Sequence, residues 1–115
     1  MPLIDNQARD RIRELNDAFR KSFDPNLGKV VMTSGVSEFG ADIKVRIMMA
    51  VRAFTAFDEG NDPHSEHDFG SFELFTKKFF WKIDYYDKEL RHGSEDPSDP
   101  AQTKRVLTIM LAEEY

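Results

Sequence analysis

Two neighbouring runs rich in aromatic residues constrain the fold of this chain more than any other feature. Residues 69–75 and 79–86 each alternate large apolar side chains with others, and Thr76, Lys77 and Lys78 separate the two runs. A period of two on both sides of a short connection is typical of a β-hairpin. One face of the second strand would carry Phe79, Trp81, Ile83 and Tyr85. We expect this face to meet helices, because an isolated hairpin is only marginally stable in water.

Two other stretches have the apolar spacing of amphipathic helices. In the first, residues 5–21, apolar side chains recur every three or four positions, at Ala8, Ile12, Leu15 and Phe19. The second, residues 41–57, has a wider stripe made of Ile43, Ile47, Ala50, Val51 and Phe54, which predicts burial on more than one side. Between them, the short β-branched run 29–33 is bounded by glycines and predicts a buried strand.

The last apolar run, residues 104–112, fits either a helix or a strand. Asp99 and Pro100 resemble a helix start, whereas the alternation of apolar residues at 107, 109 and 111 favours a strand. We favour the strand, because the hairpin needs another strand beside it. The prediction is an α+β fold that forms a single domain over residues 1–115. Two helices pack on one face of a small, mostly antiparallel sheet of three or four strands, in the order α-β-α-β-β-β.

The composition excludes several classes of protein. The chain has no cysteine, which excludes disulfides, thiol nucleophiles and cysteine-ligated metals and mildly favours the cytosol. It carries 16 basic and 21 acidic residues, a net charge of −5. Such acidity argues against direct binding to nucleic acid or to anionic membranes. Residues 1–7 lack a signal-peptide pattern and no apolar run approaches the ~20 residues of a membrane span, so we expect a cytoplasmic protein.

The densest group of reactive side chains lies in residues 61–70. Glu66, His67 and Asp68 could serve a small hydrolase or nuclease, with His67 as general base or metal ligand and the carboxylates orienting it or holding a metal ion. His64 and His67 do not have the i and i+4 spacing of helical metalloprotease sites. The alternative, which we favour, is that Asp62 and Glu66 accept hydrogen bonds from backbone N–H groups in turns, with His67 an ordinary loop residue. No phosphate- or dinucleotide-binding motif occurs, so no cofactor is expected.

The negative charge is confined to the second half of the chain. Residues 1–60 contain nine basic and nine acidic side chains, whereas residues 61–115 contain seven and twelve. If the connections 58–68 and 84–99 lie close together, they form an acidic surface suited to a basic protein partner. The candidate contact residues are Asp62, Glu66, Asp87 and Glu95. The alternatives are a solvated rim that keeps the protein soluble and a structural subunit that forms a homodimer through an apolar patch.

The aromatic hairpin has a second interpretation. Aromatic strands with Lys77, Lys78 and Lys82 have the composition of sheets that stack the bases of single-stranded nucleic acid. Because Asp84 and Asp87 flank these lysines, and because core packing explains the aromatic residues, we expect no direct contact with nucleic acid.

Four blocks of the sequence resemble a family of short bacterial proteins, a domain of unknown function that is typical of plasmids and other mobile elements. The blocks are residues 13–20, residues 61–63 with 66–70, residues 80–87 and residues 105–115. The resemblance implies an accessory factor that binds a host or defence protein, and no reaction. Glu66, His67 and Asp68 belong to a family-like block. His64 stands where the family often has an aromatic residue, which weakens a two-histidine metal site.

Overall fold

The computed structural model describes residues 5–115. The prediction that residues 1–7 lack a signal-peptide pattern falls mostly on residues 1–4, which lie outside the described residues. The helices are α1 (Asp5–Ser22), α2 (Ser34–Ser37) and α3 (Ala41–Ala53). The strands are β1 (Gly28–Met32), β2 (Phe69–Leu74), β3 (Lys77–Tyr86) and β4 (Lys104–Leu111), and a 3₁₀ turn follows over Ala112–Glu114. Among residues 5–115, no helix is long and apolar enough to cross a membrane.

The four strands form one mixed sheet in the order β1-β4-β3-β2. β1 runs parallel to β4, with Gly28 opposite Arg105 and Met32 opposite Ile109, and the other neighbours are antiparallel. The predicted α+β fold is confirmed, and residues 104–111 form the strand that we favoured. The predicted order α-β-α-β-β-β was wrong, because α2 is an additional helix. The sheet is also mixed, because β1 pairs with the last strand of the chain.

Helices pack against one face of this sheet. The face of β3 that was predicted to meet the helices does so, and its residues Phe79, Trp81 and Ile83 are buried. The core that they join also contains Phe19, Val36, Ile47, Val51, Phe54, Leu107 and Ile109. Gly70 on β2 lies directly under the indole of Trp81, where a Cβ atom would come within 2.7 Å of the Trp81 Cε2 atom. Glycine is required there by close packing.

The hairpin between β2 and β3 turns earlier than the sequence predicts. Its two central residues are Phe75 and Thr76, with φ angles of 54° and 64°, and Leu74 already pairs with Lys77. The expected connection over residues 76–78 was therefore wrong. Two positive φ angles give a turn whose twist matches the twist of the flanking strands, which explains why two residues suffice.

Helix α3 ends at Ala53, earlier than the predicted boundary at residue 57, and Phe54 is extended (φ −62°, ψ 132°). The Arg20 side chain of α1 supplies a physical reason. Its Nη1 atom donates to the carbonyl oxygens of Val51, Arg52 and Phe54 at 3.0, 3.2 and 2.9 Å. This nitrogen supplies hydrogen bonds to carbonyl groups at the end of the helix, where the regular backbone partners run out.

Candidate functional site

The connection between α3 and β2 is ordered by its own carboxylates. Asp62 is only 7% exposed, and its Oδ1 atom accepts hydrogen bonds from the backbone N–H groups of Glu66 (3.0 Å) and His67 (3.1 Å). Ser65 and His67 both have positive φ angles, of 56° and 55°, so the backbone turns sharply around this carboxylate. Asp62 thus has the turn-forming role that we favoured from the sequence.

His67 lies between two aspartates and against an aromatic ring. Its Nδ1 atom is 2.9 and 3.0 Å from the two carboxylate oxygens of Asp17 on α1, and its Nε2 atom is 3.6 Å from Oδ2 of Asp62. The imidazole stacks on Phe57 with a centroid separation of 3.7 Å and an interplanar angle of 4°. A carboxylate therefore faces each ring nitrogen, and the stacked Phe57 ring fixes the plane of the imidazole.

Asp17 also compensates a buried positive charge. Its Oδ1 atom lies 3.1 Å from Nη2 of Arg20, a side chain that is 1% exposed. The guanidinium stands over the rings of Phe57 and Trp81, 5.4 and 5.3 Å from their centroids. One carboxylate therefore serves both the arginine that ends α3 and the histidine of the connection. An unpaired buried charge is costly, so this pairing positions all three groups.

A second set of buried polar side chains lies beside the first. Asn16, which is fully buried, donates from Nδ2 to the backbone oxygen of Glu66 at 2.9 Å and to the Tyr85 hydroxyl at 2.8 Å. The Tyr85 hydroxyl donates to Oε1 of Glu66 at 2.8 Å. Burial raises the pKa of Tyr85 well above its ordinary value, and its bond to the Glu66 carboxylate adds to the effect. Tyr85 is therefore neutral at physiological pH.

Arg105 connects this set to the second acidic connection. It is fully buried, donates from Nε to Oδ1 of Asn16 at 2.6 Å, and donates from Nη2 to the carbonyl oxygen of Pro97 at 2.7 Å. Its guanidinium also stands over the ring of Tyr85, at 5.3 Å. A continuous chain of hydrogen bonds thus links Pro97 in the connection 84–99 to Glu66 in the connection 58–68.

The three candidate catalytic residues are consecutive in sequence but differ in their surroundings. Glu66 bonds to Tyr85 and His67 to Asp17, whereas Asp68 is half-buried. The pKa of Asp68 is raised, first by burial and then by the negative charge of Glu66. His64 is exposed. Within residues 5–115, no group of three or more His, Asp or Glu side chains is arranged to hold a metal ion.

The expected partner-binding residues also divide into two kinds. Asp62 and Glu66 point into the hydrogen-bond network described above, so they are poorly placed for an outside partner. Asp87 is half-buried, and its carboxylate accepts the N–H groups of Glu89 and Arg91, which helps to lower its pKa. Glu95 is exposed. Asp87 and Glu95 line one cleft of about 350 Å³ together with His92, Gly93 and Gln102.

A further depression opens at the exposed edge of His67. It has a volume of about 340 Å³ and is lined by Arg13, Phe57, Asp58, Glu59, Asp62, Ser65 and His67. Arg13 is already engaged, since its guanidinium donates to Ser65 O and to Asp10. Asp58 and Glu59 are exposed, so the depression is negatively charged at its rim.

Sequence reasoning missed the residues of α1 that complete this site. Asn16 and Arg20 lie four positions apart, beside the apolar residues Leu15 and Phe19, and both are buried. Polar side chains at helical spacing next to an apolar stripe are the signal that could have indicated a buried network. Their partners, fifty positions or more along the chain for Glu66 and Tyr85, carry no local signal.

Comparisons with known proteins give one match. No curated protein and no solved structure matches the chain. A family model described as "protein of unknown function (DUF3768)" matches residues 32–114, from the end of β1 to the 3₁₀ turn. This range contains the connection around Asp62, the hairpin and β4, whereas α1 with Asn16, Asp17 and Arg20 precedes it. Since the match covers well over half of the chain, the protein belongs to the DUF3768 family of proteins of unknown function.

Proposed function

We propose that this protein is a non-enzymatic interaction protein that binds a basic surface of a partner protein. The binding surface is formed by the connections 58–68 and 84–99. The observation that supports the proposal is the hydrogen-bond chain from Pro97 through Arg105 and Asn16 to Glu66, which links the two acidic connections. A concentrated negative field of this kind steers and selects positively charged partners.

The biological setting is part of the same proposal and rests on the family resemblance alone. In this proposal the protein acts in the bacterial cytoplasm, as an accessory factor of a plasmid or other mobile element. The partner in this setting is a host or defence protein with an exposed cluster of lysine and arginine side chains.

Within this surface, Asp87 and Glu95 are the contact residues that we propose, with Glu89 beside them. Glu89 and Glu95 are exposed, and Asp87 and Glu95 share a cleft. Asp62 and Glu66 act indirectly, because they hold the first connection in place. Reversing their charge should disrupt the fold, whereas reversing the charge of exposed residues should disrupt binding alone.

The test compares three doubly substituted variants of equal charge. Asp87→Lys with Glu95→Lys reverses the proposed contacts, and Glu89→Lys with Glu95→Lys does so without removing a carboxylate that orders the loop. Glu38→Lys with Asp42→Lys is the matched control, since both residues are exposed and lie outside the two connections. Binding of an oligolysine peptide is measured by calorimetry, basic proteins are captured from a bacterial lysate, and circular dichroism monitors folding.

We expect both contact variants to lose most of the peptide binding and of the captured protein, and the control to retain them. An equal loss of binding in all three variants would show that binding depends on the net charge of the protein and not on this surface. Unchanged capture by the contact variants would refute the proposal.

A second candidate function is hydrolysis with His67 as the general base. The observation that favours it is the His67–Asp17 pair beside the depression lined by Ser65 and Phe57, because a base held by a carboxylate is the arrangement of acid–base catalysis. In this version Asp17 orients the ring, and Glu66 and Asp68 are not in contact with it. The test is turnover of activated esters and phosphodiesters, with and without divalent cations. Turnover that His67→Gln does not reduce would exclude this function.

A further inference from the structure

The outward face of the sheet is chemically unlike the rest of the molecule. Residues of β3 that point away from the helices pair with outward residues of its neighbours, as Phe80 does with Met110 and Lys82 with Phe69. Met110 is 3% exposed, so the face has a packed apolar floor. Phe19 of α1, Val36 of α2 and two residues of α3, Ile47 and Val51, join the core on the opposite face.

This face is positively charged in a chain whose net charge is −5. The register places two acids on it, Glu73 and Asp84, and four lysines. The lysines are Lys29, Lys78, Lys82 and Lys104. The Lys82 ammonium already pairs with the Asp84 carboxylate at 2.7 Å. Lys78 lies opposite Glu73 in the register, whereas Lys29 and Lys104 have no acidic residue opposite them. The face therefore keeps an excess of two positive charges and is complementary to an anionic partner.

Aromatic rings gather in the middle of the same face. Phe69 on β2 and Phe80 on β3 have ring centroids 5.2 Å apart. Tyr115 lies edge-on to both, at 6.2 and 5.5 Å, and is 76% exposed. The ammonium of Lys78 stands over the Phe80 ring at 5.5 Å. The rings of two adjacent strands thus form a half-buried platform beside positive charge.

The connection 84–99 begins far from the centre of this platform. Phe80 and Tyr86 are six residues apart on β3, which corresponds to about 20 Å of extended strand, and Asp87 follows Tyr86. At physiological ionic strength the Debye length is only about 8 Å. The negative charge of the connection 84–99 is therefore largely screened at Phe80, whereas the connection 58–68 ends at Asp68, next to Phe69. The expectation from overall charge, that nucleic acid is not bound, does not apply locally.

We propose that this face binds single-stranded nucleic acid, with bases stacked on Phe69, Phe80 and Tyr115 and phosphates placed against Lys29, Lys78 and Lys104. This goes beyond the proposed function, because a different surface carries it. Aromatic rings on neighbouring strands beside lysines are the features that hold unpaired bases and their backbone. A second copy of the chain is a poorer occupant, because a two-fold contact would bring the same lysines together. Duplex DNA presents no free base faces to stack.

The experiment measures fluorescence anisotropy of a labelled oligothymidylate of about 12 nucleotides with the full chain. Phe80→Ala and Tyr115→Ala should each weaken binding about tenfold, which is the loss expected for one stacked base. Because Phe80 is half-buried, the exposed Tyr115 supplies the variant that leaves folding unaffected. Phe75→Ala is the matched control, since Phe75 is 44% exposed and lies in the hairpin turn.

The charge component is tested separately. Lys29→Glu with Lys78→Glu should abolish binding, whereas Lys21→Glu with Lys88→Glu, an exposed pair outside this face, should weaken it much less. If three phosphates are neutralised, raising the salt from about 50 mM to about 200 mM should lower the affinity about 20-fold.

Three results would overturn the proposal. The first is the absence of salt-dependent oligonucleotide binding by the wild-type chain. The second is equal binding of polyglutamate that Tyr115→Ala does not affect, which would identify an acidic peptide as the ligand. The third is a dimer in light scattering that Phe80→Ala dissociates, combined with no oligonucleotide binding. Charge reversal at Asp87 and Glu95 should leave oligonucleotide binding intact. The nucleic-acid proposal can therefore fail or succeed independently of the proposed binding of a basic partner protein.

Discussion

His67 Nδ1 lies 2.9 Å from Oδ1 of Asp17, although fifty residues separate the two along the chain. The contact joins the first helix to the connection that precedes the hairpin. Because Asp17 also pairs with the buried Arg20, loss of its charge affects both groups at once. The stability of the acidic connection therefore depends on a helix that the family match does not cover.

We expect Asp17→Asn to lower the free energy of unfolding by about 1–3 kcal/mol, because a buried guanidinium loses its charged partner. Urea denaturation followed by tryptophan fluorescence measures this change at the single tryptophan, Trp81. Asp10→Asn is the control, since Asp10 is 45% exposed and pairs with surface arginines. A loss of equal size in the control would contradict the role assigned to Asp17.

Arg20→Lys should be strongly destabilising although it conserves charge. One ammonium group cannot reach the Asp17 carboxylate and the three carbonyl oxygens at the end of α3 at the same time. We expect a loss of about 2 kcal/mol or more. Arg11→Lys, at a side chain that is 45% exposed, should change stability by less than about 0.5 kcal/mol. Similar denaturation midpoints for both variants would show that Arg20 does not cap α3.

Gly70→Ala should destabilise the protein by about 1–3 kcal/mol, the usual cost of overpacking. The new methyl group would meet the Trp81 indole and the Phe54 ring, with the latter at 2.9 Å. Gly93→Ala is the matched control, because the nearest atom there, the Tyr85 carbonyl oxygen, is 3.8 Å away. Thermal unfolding should separate the two variants, and a neutral Gly70→Ala would show that β2 can shift at no cost.

The contributions of Asp68 and Asp87 to the free energy of unfolding should change in opposite directions as the pH changes. Burial, and then the negative charge of Glu66, raise the folded-state pKa of Asp68 above its ordinary value of 3.8. The contribution of Asp68 to stability is therefore fully present below pH 3.8 and is lost as the pH rises through the folded-state pKa. Asp68→Asn should therefore stabilise the protein at pH ~7, and the gain should vanish in acid.

Asp87 provides the comparison. Hydrogen bonds from backbone N–H groups, that of Arg91 first, lower its pKa, so its contribution is present above 3.8 and is lost as pH falls through the folded-state value. Asp87→Asn should destabilise the protein at neutral pH. Urea midpoints measured across the acid range would contradict this account if both variants changed in the same direction.

Tyr85 should ionise much later than its ordinary pKa of 10.0. The chain has three tyrosines, and in a spectrophotometric titration the absorbance of Tyr85 should appear only with unfolding. Because the folded-state pKa is raised, stability is fully present below pH 10 and decreases as pH rises further. Tyr85→Phe should cost about 1–3 kcal/mol at neutral pH, since it leaves Asn16 and Glu66 short of a partner.

Local patterns predicted the elements of this fold well. The spacing of Ile12, Leu15 and Phe19 located α1, and the alternation of residues 107–111 identified β4 as a strand. The turn at Phe75 and Thr76 was not predictable, because residues other than glycine and asparagine rarely adopt positive φ angles. The four-residue helix α2 has too few positions to show a period.

The candidate site was predictable only in part. Composition indicated the region 58–68 and the turn-forming role of Asp62, whereas Glu66, for which the same role was predicted, accepts a hydrogen bond from the Tyr85 hydroxyl instead. It gave no indication of Asp17, Arg20 or Arg105, because each contributes through partners far away in sequence. For the same reason Asp62 and Glu66 were expected on the surface, although their carboxylates bond to the protein's own groups.

The parallel pairing of β1 with β4 has a consequence for how the chain acquires its structure. β1 is complete after residue 32, but its neighbour begins only at residue 104. Synthesis must therefore pass β4 before this sheet can close, and loop-closure entropy opposes the pairing of two strands so far apart in sequence. Long-range contacts of this kind slow folding. Premature termination before β4 would leave β1 without a partner strand and expose the hairpin's inner edge, so quality-control proteases should degrade such fragments quickly.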